Sequence, residues 1–293
     1  FLYPVRTIRR KNVLEMGLVC AAAGEPVNLL VTLPGVSHTE REYSAKVEKA
    51  FSDGLISGIW GIGTELQRAD IPFPDLVSVA DVICSSSVQE GFGYLFINSK
   101  LWGMPILARY LEVLDGIKSV FDDHPACFYR SVFVPLASDE IRSLKEAYAE
   151  KARRVESLTG EEIVDSILRQ FEDITLNGTC DFSYLSVERQ LEVLKKLKTD
   201  TAFRNDLIGL NGNIFEALER FSSGLNTPDV DTEPDSRPFS FERYAGSVAK
   251  VIESFGSESK SAHAAVIKEK PDVQEKLIRR FASIEYLRLL YDN

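Results

Sequence analysis

Apolar positions in the first half of the chain come in short runs, with amphipathic stretches between them. FLYPV (1–5), VNLLVTL (27–33), LISGIWGI (55–62), PILAR (105–109) and CFYRSVFVPL (127–136) each predict an extended segment. LVSVADVICSSS (76–87) predicts a short helix followed by another strand, after a Pro-containing linker. Residues 11–24, Thr39 to Asp53 and Phe92 to Gly103 carry apolar residues at three- and four-residue spacing and predict helices. Strands alternating with helices of ordinary length imply βαβ units, right-handed crossovers and a parallel sheet covered on both faces. Residues 1–136 therefore read as a doubly wound α/β domain.

From Ser138 the pattern changes to helical periodicity over 138–158, 160–175, 184–199 and 201–222. NTPDVDTEPDSRP (226–238) reads as a turn-rich acidic loop. Ser240 is placed to cap an amphipathic helix running to Phe255, 256–261 reads as a linker, and 271–293 as a final helix. There is no internal repeat. The expected organisation is one domain over 1–255, with the sheet in 1–136 and a helical part in 137–255, followed by a helical tail over 256–293.

Composition narrows the function. The 293 residues are 44% hydrophobic, enough for a sizeable core, and the net charge is −10. That acidic balance argues against a nucleic-acid or membrane-surface protein, and no apolar run reaches the roughly 18 residues of a membrane span. Basic residues concentrate in VRTIRRKN (5–12), which suits a small anionic ligand better than a polyanion. Cys20, Cys84, Cys127 and Cys180 are far apart and show no metal-ligand spacing. The expectation is a cytoplasmic protein with reduced thiols, in which the Asn177-Gly178-Thr179 sequon is fortuitous. The chain opens inside an apolar run at Phe1, as a piece of a longer protein would.

The chemistry concentrates in SSSVQEGFGYLFINSKLWGMPILAR (85–109). Glu90-Gly91-Phe92-Gly93 falls at the carboxyl end of a strand and directly before a helix, where open parallel sheets bind ligands. The free amides and positive dipole end of a helix N-terminus favour an anion, and glycines let a phosphate approach closely. An acid beside a phosphate needs another task, and accepting hydrogen bonds from sugar hydroxyls is one. On the glycines alone, a strand–helix turn with no ligand fits equally well. Arg6 and Lys11, just past the first strand, are placed to reach the same diphosphate. Arg9 and Arg10 are expected to be solvated.

YPVRTIRRKN, the 85–109 stretch with its preceding ADVIC, and FSFERYAGSVAKVIESF together resemble the donor-binding C-terminal half of GT-B-fold glycosyltransferases, in the large retaining family that includes sucrose synthase-like enzymes. The resemblance covers 1–136 well, 239–255 reasonably and the helices between them weakly. It implies one Rossmann-like half of a GT-B fold with a helical extension, and transfer of a hexose from a nucleotide diphosphate sugar without a metal or other cofactor. It implies that Arg6 and Lys11 contact the diphosphate and Glu90 the donor sugar, with backbone amides around Gly91, Phe92, Gly93 and Tyr94 on phosphate. Asn98 stands where the family carries a second acid for the ribose; it can still accept from one hydroxyl and donate to another. Acceptor contacts would come mostly from a missing N-terminal domain, so this chain alone is expected to bind donor weakly and transfer nothing. The rivals are a non-catalytic GT-B-like assembly module and another enzyme of the same fold, such as a sugar-nucleotide epimerase or a phosphorylase.

Other candidates read as structural. Asp229-x-Asp231 sits in the acidic loop, and FDDHPAC (121–127) reads as a turn, not a metal site. His38 and His263 are expected to be exposed, Ser85–Ser87 lack the flanking glycines of a nucleophile elbow, and EKARRVES (150–157) reads as a solvated helix face.

Overall fold

A computed structural model describes residues 1–159, 162–222, 246, 248–250 and 281–290. The acidic loop, most of the 240–255 helix, the 256–261 linker, His263 and all but 281–290 of the final helix lie outside the described residues. The described residues form two compact units, one built on Phe1–Arg142 with the stretch from Ile174, the other on Ser143–Asp173 with residues near the C-terminus.

The first unit is an α/β layer structure. Strands β1 (Leu2–Arg6), β2 (Leu29–Leu33), β3 (Gly58–Trp60), β4 (Ile83–Ser85), β5 (Ile106–Arg109) and β6 (Ala126–Tyr129) form one parallel sheet in the order β3-β2-β1-β4-β5-β6. The order reverses between β1 and β4, and that pair is held by a single register position, Leu2↔Ile83. Pro4 lacks an amide hydrogen, and the β1–β2 register shifts between Tyr3 and Arg6. Beyond Leu2↔Ile83, β1 and β4 share no further register position, while β1 stays paired to β2 through Arg6↔Leu33 and β4 to β5 through Ser85↔Ala108.

Helices α1 (Val13–Ala22), α2 (His38–Ser52), α3 (Ile62–Arg68), α4 (Phe73–Ser78) and α5 (Tyr94–Leu101) flank the sheet. Leu76 and Val77 of α4 pack with Leu2 and Ile83, joined by Ile62 and Leu66 of α3 and by Leu95. Phe96 of α5 packs with Ile106, Ala108, Leu114 and Phe121. Nine of the ten residues of α1 are buried, so this helix is apolar almost all round. The linker expected after β3 contains α3. The third strand is only three residues long: Gly58 opens it at φ 132°, and a Cβ there would lie 2.0 Å from the Leu29 carbonyl oxygen.

Past β6, the expected single extended segment is two strands in different sheets. β7 (Phe133–Pro135) pairs antiparallel with β8 (Thr179–Asp181), a strand the periodicity did not predict. Helix α8 (Val187–Thr199) follows, and the stretch 201–222 is two helices, α9 (Thr201–Leu210) and α10 (Gly212–Ser222). Buried Asn211 separates them: Oδ1 accepts from the Phe133 amide at 2.8 Å, and Nδ2 donates to the Phe133 and Leu207 carbonyls at 2.8 and 2.7 Å.

The second unit takes most of α6 (Ser138–Thr159) and α7 (Val164–Ile174). Tyr148 and Phe171 pack with ring centroids 5.9 Å apart, and the Glu156 carboxylate accepts from the Ile163 and Val164 amides at the start of α7. Lys151 is a correction to the solvated-face expectation for 150–157. It is buried, and its Nζ donates to the Leu290 carbonyl at 3.1 Å.

Candidate functional site

Two turns meet at the switch point between β1 and β4. The first leaves β1 through a 3-10 turn at Arg9–Lys11 and enters α1 by way of Asn12, which lies in the left-handed region at φ 49°. The second leaves β4 through Ser85, Ser86 and Ser87, all buried. The buried Tyr3 hydroxyl joins them. It donates to the Lys11 carbonyl at 2.6 Å, accepts from the Ser86 amide at 3.1 Å and lies 3.1 Å from Ser87 Oγ. Ser86 Oγ donates to the Asn12 carbonyl at 2.9 Å, and the Val88 amide to the Arg10 carbonyl at 2.9 Å. Every one of these bonds crosses between the two turns or anchors them to β1, so their tips are held in fixed register.

At those tips the Lys11 ammonium and the Glu90 carboxylate form an ion pair, with side chains only 14% and 15% exposed. Arg10 Nη1 donates to the Gln89 carbonyl at 3.0 Å and approaches Glu90 Oε2 at 3.4 Å. Burial pulls the Lys11 pKa below its ordinary value, outweighing the attraction of Glu90, and Arg10 pulls the same way.

The expectation that Arg9 and Arg10 are solvated is corrected for Arg9. Arg9 is buried, its Nη2 donates to the Leu185 carbonyl at 3.0 Å, and its guanidinium lies 5.9 Å from the Tyr43 ring centre. Arg10 is partly exposed but tied to the 89–90 turn. Arg6 ends β1 with its side chain exposed, and among the described residues it makes no ion pair.

Gly93 stands before α5 at φ 82°, and a Cβ there would lie 2.9 Å from a Phe96 ring carbon. Having no side chain, it cannot cap the helix, so the amides of Tyr94 and Leu95 open the helix without a side-chain acceptor. Gly91 is exposed, and Phe92 and Tyr94 are 58% and 68% exposed with ring centroids 4.6 Å apart. Asn98 lies one turn further on, partly exposed, its carbonyl accepting from the Trp102 amide at 2.8 Å.

Behind these turns lies a buried ionic network that the periodicity did not reveal. Arg109, at the end of β5, donates to Glu15 of α1 at 3.1 and 2.5 Å and to Asp181 of β8 at 2.8 Å with each terminal nitrogen. Tyr129 donates to Glu15 Oε1 at 3.0 Å, and Asn12 Nδ2 to Glu15 Oε2 at 2.8 Å. Burial pushes the Glu15 pKa up despite Arg109, while the two carboxylates hold the Arg109 guanidinium firmly charged. The network connects α1, β5, β6 and β8 to the Asn12 position beside Lys11. Charged residues inside the apolar runs PILAR and VLEMGLVCAA were the sequence signal for it.

Among the described residues, no group of three His, Cys, Asp or Glu side chains could hold a metal. In FDDHPAC, Asp123 pairs with Lys100 at 2.5 Å and His124 Nε2 lies 2.8 Å from the Met104 carbonyl. Asp229 and Asp231 lie outside the described residues. No helix among them is long and apolar enough to cross a membrane.

The sheet order and flanking helices define a Rossmann-like α/β protein. In sequence, the chain is 31% identical over 295 residues to the mannosylglucosyl-3-phosphoglycerate synthase of Petrotoga mobilis (strain DSM 10674 / SJ95). That likeness covers 99% of this chain and 55% of the relative, so the chain spans about half the length of the protein it matches. No family model and no solved structure matches.

Proposed function

We propose that the chain is the donor-binding part of a retaining glycosyltransferase that moves a hexose from a nucleotide diphosphate sugar to an acceptor. The observation that carries this reading is the meeting of Lys11 and Glu90 at the switch point, beside the uncapped start of α5. An ammonium, a carboxylate and free amides at one place suit a diphosphate joined to a sugar. Lys11 and Arg6 would hold the diphosphate with amides near Gly91, Phe92, Gly93 and Tyr94. Glu90 would accept from sugar hydroxyls, and Asn98 would serve the ribose.

In the transfer, the bond from the anomeric carbon to the diphosphate oxygen breaks and the acceptor oxygen bonds to that carbon. The acceptor's proton passes to the departing diphosphate, whose developing charge Lys11 and Arg6 stabilise. On this reading no metal is needed. The acceptor half lies in sequence outside this chain, in keeping with the greater length of the relative. That relative is named for a product ending in 3-phosphoglycerate, and we take the acceptor here to be an anion of that kind.

Calorimetric titration with UDP-, GDP- and ADP-sugars tests the reading. One nucleotide is expected to bind clearly more tightly than the others, and Lys11→Ala should weaken it by about 100-fold if the lost charge contact is worth roughly 3 kcal/mol. Absence of binding at millimolar concentration would overturn the reading in favour of a non-catalytic assembly module.

A further inference from the structure

A second cationic feature stands at the same end of the sheet and takes no part in the site above. Tyr110 follows Arg109 out of β5, its amide donating to the Tyr129 carbonyl at 2.7 Å, and Arg130 follows Tyr129 out of β6. The Arg130 guanidinium lies over the Tyr110 ring, 4.7 Å from its centre, and the Lys118 ammonium lies 5.6 Å from the same centre. Both cations are exposed. Among the described residues neither forms an ion pair, although the chain carries 44 acidic residues against 34 lysines and arginines. Asp115, in the same segment, accepts from the Tyr110 hydroxyl.

The ring holds the guanidinium in place by cation–π attraction and leaves its N–H edges free. A fixed planar fork with a mobile ammonium beside it is a phosphate- or carboxylate-recognising pair. The cluster also borders the donor site. A Cβ on Gly93 would lie 3.5 Å from Val113 Cγ1, so the segment after Tyr110 packs against the start of α5.

We infer that Arg130 and Lys118, ordered on Tyr110, form an anion subsite that takes the phosphate end of a phosphoglycerate-type acceptor. The inference rests on the sugar-transfer reading for the identity of the ligand, not for the existence of the subsite. It assigns part of acceptor recognition to the same unit that holds the donor.

The test is titration of the full chain with 3-phosphoglycerate, glycerate and inorganic phosphate, followed by calorimetry or NMR. 3-Phosphoglycerate is expected to bind more tightly than either fragment. The double variant Arg130→Gln/Lys118→Gln should weaken it by about tenfold or more. Arg130→Lys alone should give a smaller loss, because charge is kept and the stacked fork is not. Nucleotide affinity should be unchanged in all three proteins, and an unchanged melting temperature shows that the exposed substitutions leave the fold intact. Equal 3-phosphoglycerate binding by wild type and double variant would overturn the inference. So would no 3-phosphoglycerate binding by a wild-type chain that binds nucleotide. A chain that binds no nucleotide but shows the variant-sensitive phosphoglycerate site would sink the donor reading and leave the subsite standing.

Discussion

At Gly93 one methyl group has two costs. The residue sits at φ 82°, and an added Cβ meets the Phe96 ring at 2.9 Å, whereas a Cβ on nearby Gly91 meets nothing within 4 Å. Gly93→Ala should therefore cost about 1–3 kcal/mol in denaturant unfolding, and Gly91→Ala much less. Because the strain falls on the residue that opens α5, Gly93→Ala should also weaken nucleotide binding more than Gly91→Ala, as calorimetry would show. Residues of this kind are legible in sequence. Glu90, Gly93 and Lys11 are polar or glycine positions at the ends of apolar runs, where a strand must stop and a turn begin. Arg9 was not legible, since three consecutive basic residues look alike until the fold decides that one faces Tyr43 and the Leu185 carbonyl.

Elements differ in what fixes them. Helix α2 carries its own start signal, a capping box in which Ser37 accepts from the Glu40 amide while Glu40 accepts from the Ser37 amide. Ser37→Ala should cost about 1 kcal/mol, measurable by thermal or urea unfolding. Those backbone bonds hold the Glu40 carboxyl below its ordinary value of 4.5. Its contribution is thus present above pH 4.5 and lost as pH falls through the depressed folded value, so the deficit of a Glu40→Gln variant should shrink on acidification. Strands β7 and β8 and the break at Asn211 carry no such local signal. Three-residue strands have no period to detect, and Asn211 ends a helix through bonds to Phe133, a residue distant in sequence. Arg109 does carry a signal, a charge inside an apolar run, but its partners Glu15 and Asp181 come from two other elements that only the fold brings to it. Arg109→Met would leave two carboxylates buried without their cation, and should cost about 3–5 kcal/mol in urea unfolding.

The whole chain is legible as a topology before it is legible as a site. Alternating strands and helices imply the doubly wound sheet, and the crossover order then brings turns after β1 and β4 together, as spacing along the chain cannot. A ligand bound to the folded chain alone stabilises it by about 2.7 kcal/mol at a hundred times its dissociation constant. The preferred nucleotide should therefore raise the melting temperature of the wild-type chain by several degrees, and do so far less for Lys11→Ala at the same concentration.

The coupling of Lys11 to Glu90 has a consequence for the solution chemistry of binding. In the resting protein the ammonium shares a poorly hydrated niche with one carboxylate and a neighbouring guanidinium, and its proton is held less firmly than in water. A dianion arriving there would tighten that hold, so complex formation should draw hydrogen ions from the buffer, increasingly as the medium becomes alkaline. Heats recorded in buffers of unequal ionisation enthalpy would then diverge with pH, and in Lys11→Met they should coincide.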